Sequence, residues 1–137
     1  MLKLCVMAIF LATAMVAPLV APSRLYAIEH TKDSLETVKE RVAAKKAILV
    51  DVRDLVEWEQ GHIKNAEHLP FRELQEKLDE AKLRKKIPKD TIVYTYCVVG
   101  MRSLKAGTIL EKAGYDVRPL KPGYDELLKA GFENEKK

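Results

Sequence analysis

The chain has 137 residues, 47% hydrophobic and 32% charged, with 24 basic against 20 acidic side chains and a net charge of +4. That length suits one ordinary domain. Its lysines are interleaved with glutamates, as on solvated helix faces, which argues against a nucleic-acid-binding surface. In chain order, Met1 to Lys3 form a short basic start and Leu4 to Val16 run apolar with only Thr13 interrupting. Pro18 and Pro22 follow, and Leu25-Tyr26-Ala27 offers a small residue at a cleavage point. This layout predicts a secretory signal peptide over 1–27 and a single domain over 28–137, exported to an extracytoplasmic compartment such as a bacterial periplasm. The alternative is an uncleaved anchor, although the apolar run is short for a span of ~20 residues. With the leader cleaved, no stable membrane association is expected, and 22 basic residues face 20 acidic ones.

Asp33 and Ser34 are N-cap residue types, and a helix is predicted from Ser34 to about Lys45, with Leu35, Val38, Val42 and Ala43 apolar. "AILVDV", Ala47 to Val52, is a continuous apolar run that suits a strand covered on both faces. Glu57 to Gln60 reads as a short helical turn ended by Gly61. "HIKNAEHLP" has no period and reads as a connection holding one short extended piece. Phe71, Leu74, Leu78 and Leu83 follow at mixed helical spacing, and Pro88-Lys89-Asp90 makes a turn. Thr91 to Tyr96 is the second strand, Ser103 to Ala113 the next helix, closed by Gly114, and Val117 to Leu120 a third strand. Pro122-Gly123 turns the chain into a last helix, Tyr124 to Ala130. Apolar strands alternating with helices imply an α/β fold, a central parallel sheet flanked by helices.

The chain has two cysteines. Cys5 lies in the leader, so Cys97 is the sole thiol of the remaining domain. An exported domain commonly pairs its cysteines, and a single one is either an inert core residue or a reactive group. Position discriminates. In α/β sheets ligands bind beyond the carboxyl ends of the strands, and both Asp51 and Cys97 fall at such ends. In "CVVGMRS" the loop Cys97-Val98-Val99-Gly100-Met101-Arg102 leads into a helix at Ser103. Gly100 permits the loop to curl backbone N–H groups round the sulfur, and the helix aims its positive end there. Both favour thiolate over thiol, and Arg102 adds a permanent positive charge. These features point to an activated nucleophile, with the inert core thiol as the alternative.

"LVDVRDLVEWEQGHIKNAEHLP", Leu49 to Pro70, with "YCVVGMRS" and "AGYDVRPLKPGYDEL", resembles the rhodanese-like sulfurtransferase domains, motif by motif and in order. The resemblance implies their fold, with the active-site loop at the C-terminal edge of the sheet. It also implies covalent catalysis in two half-reactions. Cys97 takes the outer sulfur of a donor such as thiosulfate, releasing sulfite, and the persulfide passes it to cyanide or a thiol. The loop residues Val98 to Ser103 would hold the donor's oxygens. No metal or organic cofactor is required. Partners would be a small-molecule sulfur donor and acceptor, or a protein in either role. Asp51, Arg53 and His62 would support the site through hydrogen bonds, Glu57 and Trp58 read as structural, and His30 and His68 stand isolated. Tyr96 is placed beneath the loop and Tyr124 near the closing turn.

Two departures stand out. Many family members carry a basic residue after the cysteine, whereas here it is Val98, leaving Arg102 as the only loop charge. The lost partner would be worth ~1–3 kcal/mol toward a thiosulfate dianion. This implies modest thiosulfate affinity and a more apolar or protein-borne donor. Leu127 and Leu128 stand where an aromatic residue is common. Rival functions are a non-catalytic sulfur carrier or oxidant sensor, and a cysteine phosphatase or arsenate reductase. Those enzymes use a Cys-x5-Arg loop to wrap a tetrahedral oxyanion, and Cys97 to Arg102 is one residue shorter.

Overall fold

A computed structural model describes residues 27–77 and 79–136. The leader region 1–26 and Leu78, both read in the sequence, lie outside these residues. No helix among the described residues is long and apolar enough to cross a membrane.

Helix α1 spans Leu35–Ala43, with Ser34 as the cap whose hydroxyl accepts the Thr37 N–H. Strand β1, Ala47–Asp51, follows directly. Helix α2, Leu55–Gln60, begins two residues before the expected turn, where the Glu57 carboxylate reaches back to accept the Asp54 N–H at 2.9 Å. The stretch read as a connection holds two very short strands, β2 (His62–Ile63) and β3 (Glu67–His68). The stretch 71–83, read at mixed helical spacing, holds two helices, α3 (Phe71–Glu76) and α4 (Glu80–Lys86). The break has a local cause: the Asp79 carboxylate accepts the Ala81 and Lys82 N–H groups and so starts a new helix.

Strand β4 is Ile92–Tyr96, α5 is Met101–Lys112, β5 is Asp116–Val117 and α6 is Tyr124–Lys129. A last strand, β6 (Asn134–Glu135), was not expected and pairs antiparallel with β2.

The main sheet has the order β3-β1-β4-β5, and every pairing in it is parallel. The ladder continues past β5, where the Arg118 and Leu120 N–H groups donate to Val93 and Thr95 carbonyls at 2.8 and 2.9 Å. Alternate residues of β1 and β4 enter two separate cores. Val50, Val52, Val93 and Cys97 pack with Leu74, Leu83, Ala106 and Leu110 of α3 to α5. Leu49, Tyr94 and Tyr96 pack with Val38 of α1 and Leu127 of α6 on the opposite face. Burial on both faces is why these two strands read as unbroken apolar runs. Asp51 pairs with Tyr96 in register, which sets Cys97 one residue further along the same sheet edge.

Candidate active site

Cys97 leaves the end of β4 with its side chain 1% exposed, and its sulfur accepts the Gly100 N–H at 3.1 Å. Gly100 has φ +85° and caps α5, so the turn is tighter than expected and the helix starts at Met101. Met101, Arg102 and Ser103 therefore form its first turn, and their N–H groups have no acceptor inside the helix. Val98, Val99 and Met101 turn outward, 46%, 72% and 57% exposed. Ser103 turns inward and is fully buried. Its hydroxyl lies 2.8 Å from both the Gly100 and Leu120 carbonyls, holding the loop and facing away from the mouth.

Two further contacts clamp this turn. The Tyr124 N–H donates to the Cys97 carbonyl at 2.8 Å. Gly123, beside it, lies so close that a Cβ there would overlap the Val98 carbonyl group. His30 is not isolated: its Nε2 sits 2.9 Å from the Gly100 carbonyl oxygen. A carbonyl can only accept, so Nε2 carries the proton. Gly100 O thus meets His30 Nε2, the Ser103 hydroxyl and the Leu104 N–H at 3.2 Å. The segment bearing His30 is itself tied down, by the Thr31 N–H on Pro119 O and by Asp33, whose Oδ2 accepts from Arg41, Tyr94 and Arg118.

Asp51 and Arg53 make a buried ion pair, 0% and 4% exposed, with Arg53 Nε and Nη2 donating to the carboxylate and Nη2 also to Gly61 O at 2.7 Å. The guanidinium lies over the Tyr124 ring, 4.1 Å from its centroid. His68 Nε2 donates to Arg53 O at 2.9 Å and so holds the loop after β1, where the sequence suggested no partner. His62 stacks on Trp58 with centroids 3.4 Å apart, and its Nδ1 donates to Trp58 O at 3.0 Å. Its other nitrogen faces Glu135, 3.7 Å away, and no hydrogen bond joins it to Cys97 among the described residues. Tyr96 lies under the sheet edge, where its oxygen accepts the Ile63 N–H and burial pushes its hydroxyl well above the usual range.

Arg102 departs from expectation. Its charge is not free: two hydrogen bonds at 2.7 and 2.9 Å bind it to both oxygens of Glu57, with Asp54 3.6 Å away. The Glu57 carboxyl is held below its ordinary value mainly by these bonds, against the opposing effect of burial. Beside this pair opens a cavity of about 240 Å3 bordered by Arg53, Glu57, Gln60, Val98, Tyr124 and Asp125. No cluster of side chains able to hold a metal ion occurs among the described residues.

A parallel sheet carrying a cysteine turn at the end of its second long strand is matched by a family model. The Rhodanese-like domain model covers residues 34–130. The chain belongs to that family. Among solved structures, this rhodanese-like domain resembles the human single-domain sulfurtransferase TSTD1, with 25% identity, a TM-score of 0.57, and coverage of 69% of this chain and 92% of that one. Among curated relatives, MoeZ of Mycobacterium tuberculosis, named a probable adenylyltransferase/sulfurtransferase, is 34% identical over 73 residues, which is 53% of this chain and 18% of MoeZ. YrkF of Bacillus subtilis, whose name proposes a sulfur carrier, is 29% identical over 83 residues, 60% of this chain and 42% of YrkF. The matched region therefore spans less than half of either relative.

Proposed function

We propose that this rhodanese-like domain is a sulfurtransferase that carries a sulfane sulfur on Cys97. The observation that supports it most is the Gly100 N–H on the Cys97 sulfur at 3.1 Å, at the amino end of a twelve-residue helix. A fixed N–H donor and a helix terminus both favour negative charge at that sulfur. In the loading step the Cys97 thiolate attacks the outer sulfur of thiosulfate. The S–S bond of the donor breaks, its electron pair leaves with sulfite, and the new bond makes a cysteine persulfide. A thiophilic acceptor, cyanide or a thiol, then attacks the outer sulfur and returns the pair to Cys97. The chemistry needs no metal and no organic cofactor.

The buried Asp51–Arg53 pair and the three histidines act in this reading as supports for the two loops, since each histidine donates a ring N–H to a backbone carbonyl. The phosphatase reading loses support: a loop arginine that must wrap an oxyanion is here bound to Glu57.

Intact mass after thiosulfate treatment tests the proposal. One sulfur should add to the wild type, vanish with cyanide, and be absent in Cys97→Ala. A wild type that gains no sulfur overturns it. Steady-state turnover with thiosulfate and cyanide separates the enzyme from a carrier that loads once and holds its cargo.

A further inference from the structure

We propose that the last strand, β6, is a pH-sensitive strap at the mouth of the site, drawn down in acid by a contact between His62 and Glu135. The device is independent of what Cys97 carries. It starts from how lightly the strand is held. β6 lies beyond residue 130, where the family match ends, and its register with β2 pairs His62 with Glu135 and Ile63 with Asn134. Asn134 and Glu135 are exposed, and the adjoining bond from the Lys64 N–H to Glu133 O, at 2.9 Å, adds a polar tie without burying an apolar group. Two short strands paired at an edge are marginal by themselves. One charge contact, gained or lost, is therefore enough to change how often β6 is down.

His62 supplies that contact. Its Nδ1 donates to Trp58 O, so in the neutral ring Nε2 bears a lone pair. That lone pair faces the Glu135 carboxylate 3.7 Å away, with no attraction between them. A proton on Nε2 turns the contact into an ion pair joining β2 to β6. Burial of the ring opposes the charge, while Trp58, stacked 3.4 Å from it, offers a π face to a cation. The other charged groups around the ring are already engaged. Arg53, which donates to Gly61 O beside His62, is paired with Asp51, and Lys64 is paired with Glu133. On α2, Glu57 is taken by Arg102. His68 also stacks on Trp58, centroids 4.7 Å apart, and donates to Arg53 O. The Tyr96 hydroxyl, bonded to the Ile63 N–H, is kept neutral by burial. Glu135 is thus the anion placed to answer protonation of His62. Proton uptake and docking reinforce each other, so the strap is held on the acid side of the imidazole titration and loosens as pH rises through it.

The strap reaches the cysteine through Tyr124. The Tyr124 hydroxyl donates to Asn134 Oδ1 at 2.7 Å, and its backbone N–H donates to Cys97 O at 2.8 Å. The same residue borders the cavity shared with Val98, its ring against the Arg53 guanidinium. With β6 down, the ring is fixed at its outer end as a wall of the mouth. With β6 up, that anchor is gone and the mouth is easier to enter.

The test follows the ring protons of His30, His62 and His68 by NMR on the full chain, from about pH 5 to about pH 9, in the wild type and in Glu135→Gln. Glu135 is exposed, so the variant keeps the fold. The His62 midpoint should fall by about half a pH unit in the variant, the size expected of a partly exposed pair, while His30 and His68 do not move. An unmoved His62 midpoint overturns the proposal. Alkylation of Cys97 by iodoacetamide, located by peptide mass, reads the mouth. Dividing the variant's rate by the wild-type rate at the same pH cancels the ionisation of the thiol. That ratio should be about two- to threefold at about pH 5.5, the factor that half a pH unit represents, and near unity at about pH 8. A ratio that does not change with pH overturns the link from strap to site. Asn134→Ala cuts the bridge to Tyr124, so adding Glu135→Gln to it should alter alkylation no further at either pH. A further change would mean that the strap does not act through Tyr124.

Discussion

Replacing Gly100 by alanine tests whether the cysteine turn is held as described. The backbone there has φ +85°, where a Cβ costs ~1–2 kcal/mol for an L-residue. An added Cβ would also sit 2.9 Å from His30 Nε2 and 2.9 Å from the Lys121 carbonyl oxygen. The histidine can swing away, giving up one hydrogen bond worth ~0.5–1.5 kcal/mol, but the Lys121 backbone cannot move without disturbing the strand-end ladder. The expected loss of stability is therefore about 2–4 kcal/mol, from strain, the hydrogen bond and crowding together. Gly114→Ala supplies the comparison. Its φ is +89° and its nearest neighbour would be Lys89 Nζ at 3.4 Å, ordinary contact, so it should cost only the ~1–2 kcal/mol of strain. Urea unfolding of both variants gives the two values. The rate of Cys97 alkylation by iodoacetamide, per folded molecule, should change in Gly100→Ala and not in Gly114→Ala. Equal destabilisation by the two substitutions, with equal alkylation rates, would refute the clamp.

Three further outcomes are expected. His30→Ala removes a donor from the Gly100 carbonyl and should lower kcat by ~3–10-fold with little change in KM, while His30→Gln, whose amide can donate, recovers part of it. Glu57→Gln releases Arg102 toward the mouth, so the KM for thiosulfate should fall; an unchanged KM means the pair does not mask the charge. At neutral pH the same variant should lose about 1 kcal/mol, since the pair is partly solvated. The folded Glu57 carboxyl lies below its ordinary value, so this stabilisation is complete above the unfolded value of about 4.3 and disappears as pH falls through the lower folded one. The wild-type advantage in urea should therefore close under acid. Asp33→Asn should cost ~1–3 kcal/mol at pH 7. Burial acts to raise this carboxyl, but hydrogen bonds from Tyr94, Arg118 and Arg41 outweigh it and leave it lowered, so its contribution also fades with acid, measurable as a converging pair of melting curves.

What could be read from the sequence followed what is encoded locally. Strands β1 and β4 are apolar along their length because both faces are covered, and Cys97, the one thiol among the described residues, needed only the boundary of β4 to be placed. Strand β3 escaped detection because Glu67 and His68 are polar, half-buried edge residues, strand-like only through pairing with Val50 and Asp51. The two-residue strands β2 and β6 depend in the same way on each other across the chain. The early start of α5 turned on Gly100, whose left-handed conformation bends the chain so sharply that Met101 is already helical. The contacts that define the candidate site are longer-range still. Arg102 finds Glu57 45 positions away and His30 finds Gly100 70 positions away, and neither pairing leaves a local pattern. Glu57 carried a signal, as an acidic residue in the first turn of α2 that accepts the Asp54 N–H, but not one that named its cationic partner.

The segment ahead of α1 changes where the working unit of this protein begins. The family match starts at residue 34, whereas His30 reaches the cysteine turn, Thr31 bonds to Pro119, Asp33 gathers two arginines and a tyrosine, and Ile28 packs on the core. A chain trimmed to the family boundary would keep every motif residue and still lose all four ties. Its cysteine turn would then keep the ties from Ser103, Leu104 and Tyr124 but lose the one from His30, so measurements on a trimmed chain would describe a looser Cys97 turn than the one the longer chain carries.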